Sequence, residues 1–251
     1  MPPELHVVRS GVGPPILLVH GSAADHSTWS IQLSSPLRER FSLIAYDRRS
    51  SATSVEDHAD DAAALFAGEQ GPGLIIGSSF GAVVALEVIR RHGGPFAGAV
   101  LIEPPLAPSD ATPVAPLAFL AEFDRRAAAD GGPAAGEFFL RTVLGDAVFE
   151  RMPRAYRERT TSRWAEIRAD SAALIAYRPR YAELGALSTP VLLLGGERSG
   201  PFYRPTLDAL AAALPHARLE IVPNAGHMLH AEAHRRFTEL VTAFAAEVGV
   251  R

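Results

Sequence analysis

Ser79 stands at the centre of Gly77-Ser78-Ser79-Phe80-Gly81, a Gly-x-Ser-x-Gly turn between the apolar run Leu74 to Ile76 and the apolar stretch Phe80 to Ile89. A serine at a sharp strand-to-helix turn adopts a strained backbone, and the positions two residues either side of it must lack side chains. The strain lifts the hydroxyl clear of a sheet, and the following helix points its free N–H groups and positive dipole end at the same spot. That chemistry is nucleophilic attack with stabilisation of a developing oxyanion, and the Phe80 N–H, next after the serine, is the first expected donor. Ser78 lacks the flanking glycine spacing and is read as a neighbour. A serine hydroxyl needs a base to take its proton. Of nine histidines, His227 in Pro223-Asn224-Ala225-Gly226-His227 directly follows the last apolar run, where a loop returns to the sheet edge at which Ser79 points.

Composition removes most alternatives. The 251 residues contain no cysteine, and all 24 basic residues are arginine. This excludes thiolate nucleophiles, disulfides, cysteine-ligated metals, lysine Schiff bases and a P-loop lysine; the expectation is a site with neither cofactor nor metal. A net charge of −4 argues against nucleic acid or an anionic membrane as partner. No apolar run has the length of a bilayer span, and the N-terminal residues have no basic region followed by an apolar core. A cytoplasmic protein acting on a small molecule is the expectation; oligomeric state is left open.

The elements that must position these groups alternate in type. Ile16 to Val19, Phe41 to Tyr46, Leu74 to Ile76, Ala99 to Ile102, Val191 to Leu194 and Leu219 to Val222 are apolar runs, interrupted only by Ser42 and Glu220, as for strands buried on both faces of a parallel sheet. Between them, Ala59, Ala62, Ala63 and Phe66 share a helical face, as do Leu207, Leu210, Ala211 and Leu214, and Phe237, Leu240, Val241, Phe244 and Val248. Phe80 to Ile89 is apolar almost all round, apart from Glu87, and predicts a central buried helix. This alternation predicts an α/β fold with an open, mostly parallel, doubly wound sheet. The rhythm breaks after a proline-rich run (Pro104, Pro105, Pro108, Pro113, Pro116). Helix-like segments follow, carrying Leu117, Phe119, Leu120 and Phe123, then Phe138 to Leu144, then Trp164 to Tyr181. The reading is one domain, residues 1–106 and 187–251, carrying a helical cap of residues 107–186.

On the Gly-x-Ser-x-Gly turn, His20-Gly21 after the first run, Tyr46-Asp47-Arg48-Arg49 after the second and Gly226-His227 near the end, the chain resembles the α/β-hydrolase superfamily over nearly its whole length. The resemblance implies an α/β-hydrolase fold, a serine–histidine–acid triad with His227 as base, and a second oxyanion donor from the residue after His-Gly, here Ser22. His20 then braces the loop, and His26 on the same loop is a candidate to touch substrate. His230 and His234, at helical spacing, lack a third ligand and are read as a solvated helix start; His6, His58, His92 and His216 are read as surface residues. The usual acid position, after the run Val191 to Leu194, falls at Ser199. Two carboxylates can replace it. Glu103 ends the run Ala99 to Ile102, where relatives such as the haloalkane dehalogenases carry a catalytic glutamate, and a carboxylate there is costly to bury without a partner. Glu197 lies on the usual loop, out of register. Glu103 is preferred, Glu197 is the alternative acid, and a dyad without a carboxylate is third.

A serine rather than an aspartate at the nucleophile excludes dehalogenase and epoxide-hydrolase chemistry. Hydrolysis of a carboxylic ester with small to medium apolar groups, through an acyl-enzyme, is the leading expectation. A carbon–carbon bond hydrolase, a lyase or cyclase on the same site, and a catalytically inactive ligand-binding homologue are the alternatives.

Overall fold

The six apolar runs and one further edge strand pair into a single seven-stranded sheet in the order β1-β3-β2-β4-β5-β6-β7. The structure is a computed structural model that describes residues 5–112 and 117–251. The strands are β1 (Val7–Ser10), β2 (Pro15–Val19), β3 (Ser42–Tyr46), β4 (Gly73–Ser78), β5 (Phe96–Ile102), β6 (Val191–Gly196) and β7 (Ala217–Val222). Every neighbouring pair is parallel except β1 with β3. Alternate residues of each strand serve opposite faces, which is why continuous apolar runs were needed. Leu17 and Val19 pack on one side of the sheet, and Ile16 and Leu18 on the other.

The first face is covered by α2 (Val55–Phe66), α3 (Phe80–His92) and α10 (Tyr203–Ala213); the second by the short α1 (Ser30–Leu33) and by α12 (His234–Glu247). All residues from Phe80 to Ile89 are buried, Glu87 included. Glu87 is satisfied there by both Arg90 donors at 2.7 Å and by the Tyr177 hydroxyl at 2.6 Å, as a buried carboxylate requires.

Between β5 and β6 the chain forms α4 (Leu117–Asp130), α5 (Gly132–Leu144), α6 (Asp146–Arg151), α7 (Arg154–Thr161), α8 (Trp164–Ala176) and α9 (Tyr181–Leu184). Phe123, Ala135, Leu140, Phe149 and Ile167 make a small core of their own there, and it closes on Ala23 of the loop after β2. The inserted helices therefore rest directly on the loop expected to carry Ser22. A further short helix, α11 (Leu229–Glu232), precedes α12.

Several expectations need correction. The edge strand β1 was not anticipated, because four half-buried residues give no usable pattern. β7 is only partly buried along most of its length, because it closes the other edge of the sheet. The stretch Trp164 to Tyr181 is not one helix, because Pro179 removes a donor and α9 starts anew beyond it. Pro113 and Pro116 lie outside the described residues. No helix among the described residues is long and apolar enough to cross a membrane.

Candidate active site

The site is assembled where β2, β4, β5 and β6 end. Ser79 has φ +55°, a left-handed conformation that costs a non-glycine residue of the order of 1 kcal/mol or more. The two flanking glycines are required by contact. A Cβ on Gly77 would lie 2.1 Å from the Gly81 carbonyl oxygen, and one on Gly81 would lie 2.2 Å from that of Val19. The strained turn is locked to the next strand, since the Ser79 N–H donates to the Ile102 carbonyl at 2.8 Å.

That lock places the end of β5 beside the turn. Glu103, with φ +44°, follows directly and is 1 % exposed. One carboxylate oxygen, Oε2, lies 2.6 Å from His227 Nδ1, and the other accepts the Gly196 N–H at 2.6 Å. The glutamate from β5 thus reaches across to the end of β6. Ser199, at the position where the family resemblance puts the acid, has a buried Oγ without a partner among the described residues. Glu197 is engaged elsewhere, accepting the Asn224 N–H at 2.8 Å on the surface. Of the two candidate acids the structure brings Glu103, and not Glu197, to His227.

With Nδ1 facing a carboxylate, the His227 proton sits on Nδ1 and Nε2 carries the lone pair. Nε2 lies 3.2 Å from the hydroxyl of Tyr203, in the first turn of α10. The two rings are stacked, with centroids 4.5 Å apart and planes 11° from parallel. A hydrogen bond along the in-plane lone pair, at ordinary donor–acceptor distance, would separate the centroids by about 6 Å. The hydroxyl therefore rests over the imidazole face. Tyr203 acts on His227 chiefly as a flat support. Its phenol is held well above the usual range by burial and then by Glu103, so it remains protonated.

Ser79 and His227 line one cavity of about 120 Å³, together with Gly21, Ser22, Ala23, Ala24 and Thr28 from the loop after β2. Its far wall is apolar and comes from the inserted helices, through Phe139, Leu140, Val143, Leu144, Val148 and Met152. A second apolar cavity of about 450 Å³ shares Phe139 and Val143 with it. Among the described residues the Ser79 hydroxyl makes no hydrogen bond, and it faces the same space as His227. Gly21 abuts the serine; a Cβ there would lie 3.0 Å from the Ser79 Cβ. Phe80, whose N–H is the other expected oxyanion donor, opens α3.

Three histidines differ in place from their expectation. His26 does not line the cavity; its backbone and ring nitrogens both lie 2.8 Å from Asp47 Oδ1, which holds the ring away from the serine. His58 is buried rather than on the surface, edge-on to Phe80 and 3.1 Å from Arg48, and burial and then Arg48 lower its pKa to about 3. His230 is also buried, packed on Trp29 and lining the cavity, and burial and then His227 lower its pKa to about 3. His20 lies where a brace belongs, with Nδ1 at 2.8 Å from the Gly21 carbonyl and Nε2 accepting the Arg48 N–H at 3.0 Å. Its pKa is well below the usual value, through burial and then Arg48. His6, His26 and Asp47 bring possible metal-ligand atoms within 4.8 Å of one another, but the group lies outside the cavity and Asp47 is already paired.

Reasoning from sequence missed Tyr203, His230 and Asp170. Asp170 had a readable signal, since it falls on the same helical face as Ile167 and Ala173, and a carboxylate on a buried face needs a partner.

Comparison with known proteins follows the same lines. A family model described as "Alpha/beta hydrolase family" matches residues 16–240. The uncharacterized hydrolase YraK of Bacillus subtilis (strain 168) is 35% identical over 100 residues, which span only 36% of this chain and 36% of that protein. Among solved structures, a thermophilic esterase from Thermogutta terrifontis superposes with a TM-score of 0.80 at 26% identity, over 97% of this chain and 93% of that one. An alpha/beta hydrolase from Sphaerobacter thermophilus superposes with a TM-score of 0.68 at 25% identity, over 88% and 89% of the two chains.

Proposed function

The chain belongs to the α/β-hydrolase family, and from that premise we propose that it is a serine hydrolase of carboxylic esters, with Ser79 as nucleophile, His227 as base and Glu103 as acid. The observation that carries this reading is the contact of Glu103 Oε2 with His227 Nδ1 at 2.6 Å, in a cavity that also holds Ser79. The similarity to the Thermogutta terrifontis esterase supports the choice of an ester.

On this reading catalysis runs through an acyl-enzyme. Ser79 Oγ attacks the ester carbonyl as its proton passes to His227 Nε2, and the C=O electron pair moves onto oxygen. Glu103 stabilises the imidazolium and fixes its orientation. The Ser22 and Phe80 N–H groups receive the oxyanion; a donor of this kind is worth about 3 to 4 kcal/mol. Collapse breaks the bond to the alkoxide, which takes the proton from Nε2, and leaves an acyl-Ser79. Water then gives a proton to Nε2 and attacks the acyl carbon. The second collapse frees the carboxylic acid and returns the proton to Oγ.

The cavity supports a short acyl group. An engineered apolar cavity of about 150 Å³ admits benzene, and this one, at about 120 Å³, suits a chain of a few carbons. Turnover of p-nitrophenyl esters from acetate to octanoate tests the reading. The expected result is highest kcat/KM at acetate to butyrate, and none with Ser79→Ala. Absence of turnover across the series contradicts it.

A further inference from the structure

Arg48 and Asp170 form an ion pair that no step above uses, and both side chains are almost fully buried, 5% and 6% exposed. Asp170 belongs to α8 of the inserted helices, and Arg48 follows β3 in the core. Arg48 Nη1 and Nη2 donate to the two Asp170 oxygens at 3.0 and 2.7 Å. The Ser22 hydroxyl donates to the same carboxylate at 2.7 Å. Arg48 also donates to the main chain of the loop after β2, from Nε to the His20 carbonyl and from Nη2 to the Gly21 carbonyl, each at 3.2 Å. Its guanidinium carbon lies 4.5 Å over the Phe80 ring.

The contact with the Gly21 carbonyl fixes a direction. The peptide between Gly21 and Ser22 is planar and trans, so its C=O and N–H point to opposite sides. The carbonyl is held by Arg48 and by His20 Nδ1. Neither of these residues lines the cavity that holds Ser79, whereas Gly21 and Ser22 do. The Ser22 N–H is thereby turned toward the cavity, and among the described residues it has no acceptor of its own. The same cation packs on Phe80, the residue that carries the other donor.

We infer that the Arg48–Asp170 pair is the positioning device of the oxyanion hole, and that the inserted helices complete the hole by supplying its acidic half. This rests on the reading of Ser79 as an acyl-transfer nucleophile. Without Asp170, Arg48 is a buried cation lacking its counter-ion, and it relaxes toward solvent and releases the Gly21 carbonyl. The peptide can then rotate, and misplacement of a donor by about 1 Å costs up to roughly 100-fold in rate. Seating of α8 and competence of the hole are therefore one event.

The test uses Asp170→Asn and, in case that chain does not fold, Arg48→Lys, which keeps a charge for Asp170 but not the fork that spans two carbonyls. Rates on p-nitrophenyl butyrate are normalised to sites titrated with a phosphonate. Either variant is expected to lower kcat about 10- to 100-fold with KM within about threefold. Affinity for a trifluoromethyl ketone, which forms a tetrahedral oxyanion on serine, should weaken by the same factor as kcat/KM. A merely structural role lowers the melting temperature and the number of titratable sites and leaves kcat per site unchanged; that result overturns the inference, as does a rise in KM alone. If the wild-type chain hydrolyses no ester, the functional reading fails separately. The inference is then decided by hydrogen exchange at residues 20–24. Faster exchange confined to that segment in Asp170→Asn sustains the positioning role, and unchanged exchange there, or acceleration spread over the whole chain, refutes it.

Discussion

Glu103 divides its carboxylate between two strands' worth of structure, with Oε2 on His227 Nδ1 and Oε1 on the Gly196 N–H, each at 2.6 Å. The second contact anchors the carboxylate from the end of β6, so the orientation of the imidazole does not depend on a residue after that strand. Replacing Glu103 with Gln keeps the shape but offers the ring a neutral amide. We predict that Glu103→Gln lowers kcat by about 10²- to 10⁴-fold while the chain still folds. Glu197→Gln should stay within about twofold of wild type. Steady-state kinetics on one ester decide between them.

Tyr203 supports His227 by its face rather than by its hydroxyl. Tyr203→Phe should therefore keep kcat within about threefold of wild type, since the ring remains. Tyr203→Ala removes the support and leaves a cavity, which should cost about 3 to 5 kcal/mol of stability and at least tenfold in kcat. Equal losses in the two variants would show that the hydroxyl matters more than the stack.

Three buried histidines set the response of stability to acid. His20, His58 and His230 all have folded pKa values lowered by burial, the last two to about 3. In the unfolded chain they titrate near 6.5. Between these values the unfolded state binds more protons, so stability is full above about 6.5 and falls as the pH drops toward 3. Each group contributes about 1.4 kcal/mol per pH unit in that window. Urea denaturation at pH 7.5 and 5.5 should differ by roughly 3 kcal/mol from His58 and His230 if the two act independently, with His20 adding in the same direction. A flat profile would mean that one or more of these rings is solvated or protonated in the native state.

Cavity size should be adjustable at the inserted helices. Met152 and Leu144 line the same cavity as Ser79. Met152→Ala should move the preferred p-nitrophenyl ester toward longer acyl chains, by at least tenfold in the octanoate to butyrate ratio of kcat/KM. No change in that ratio would place the acyl chain elsewhere, for instance in the neighbouring cavity that shares Phe139 and Val143.

The parts of the molecule legible in the sequence were those fixed by local chain physics. The glycines around Ser79 announce a left-handed turn, because no side chain fits at either position. The strands buried on both faces announce themselves by runs of apolar residues, and β7 does so through Leu219, Ile221 and Val222 although it is half-exposed; β1, half-exposed at the other edge, does not. Glu103 could be singled out because a carboxylate closing an apolar strand has a cost that demands a partner. What the sequence concealed were meetings between distant segments. Nothing local to Tyr203 indicates that it will lie under His227, and nothing local to His58 or His230 separates a buried histidine from a surface one. His26 was misplaced for a related reason, since Asp47, on the next strand's loop, holds its ring.

On the proposed reading the hydroxyl of Ser79 is the nucleophile and His227 its base. Intact-protein mass spectrometry after incubation with a fluorophosphonate tests it most directly. The expected result is a single covalent adduct, mapped by peptide sequencing to Ser79, absent from Ser79→Ala and formed at least about 10²-fold more slowly in His227→Ala. An adduct on another residue, or labelling of the Ser79→Ala protein at the wild-type rate, would contradict it.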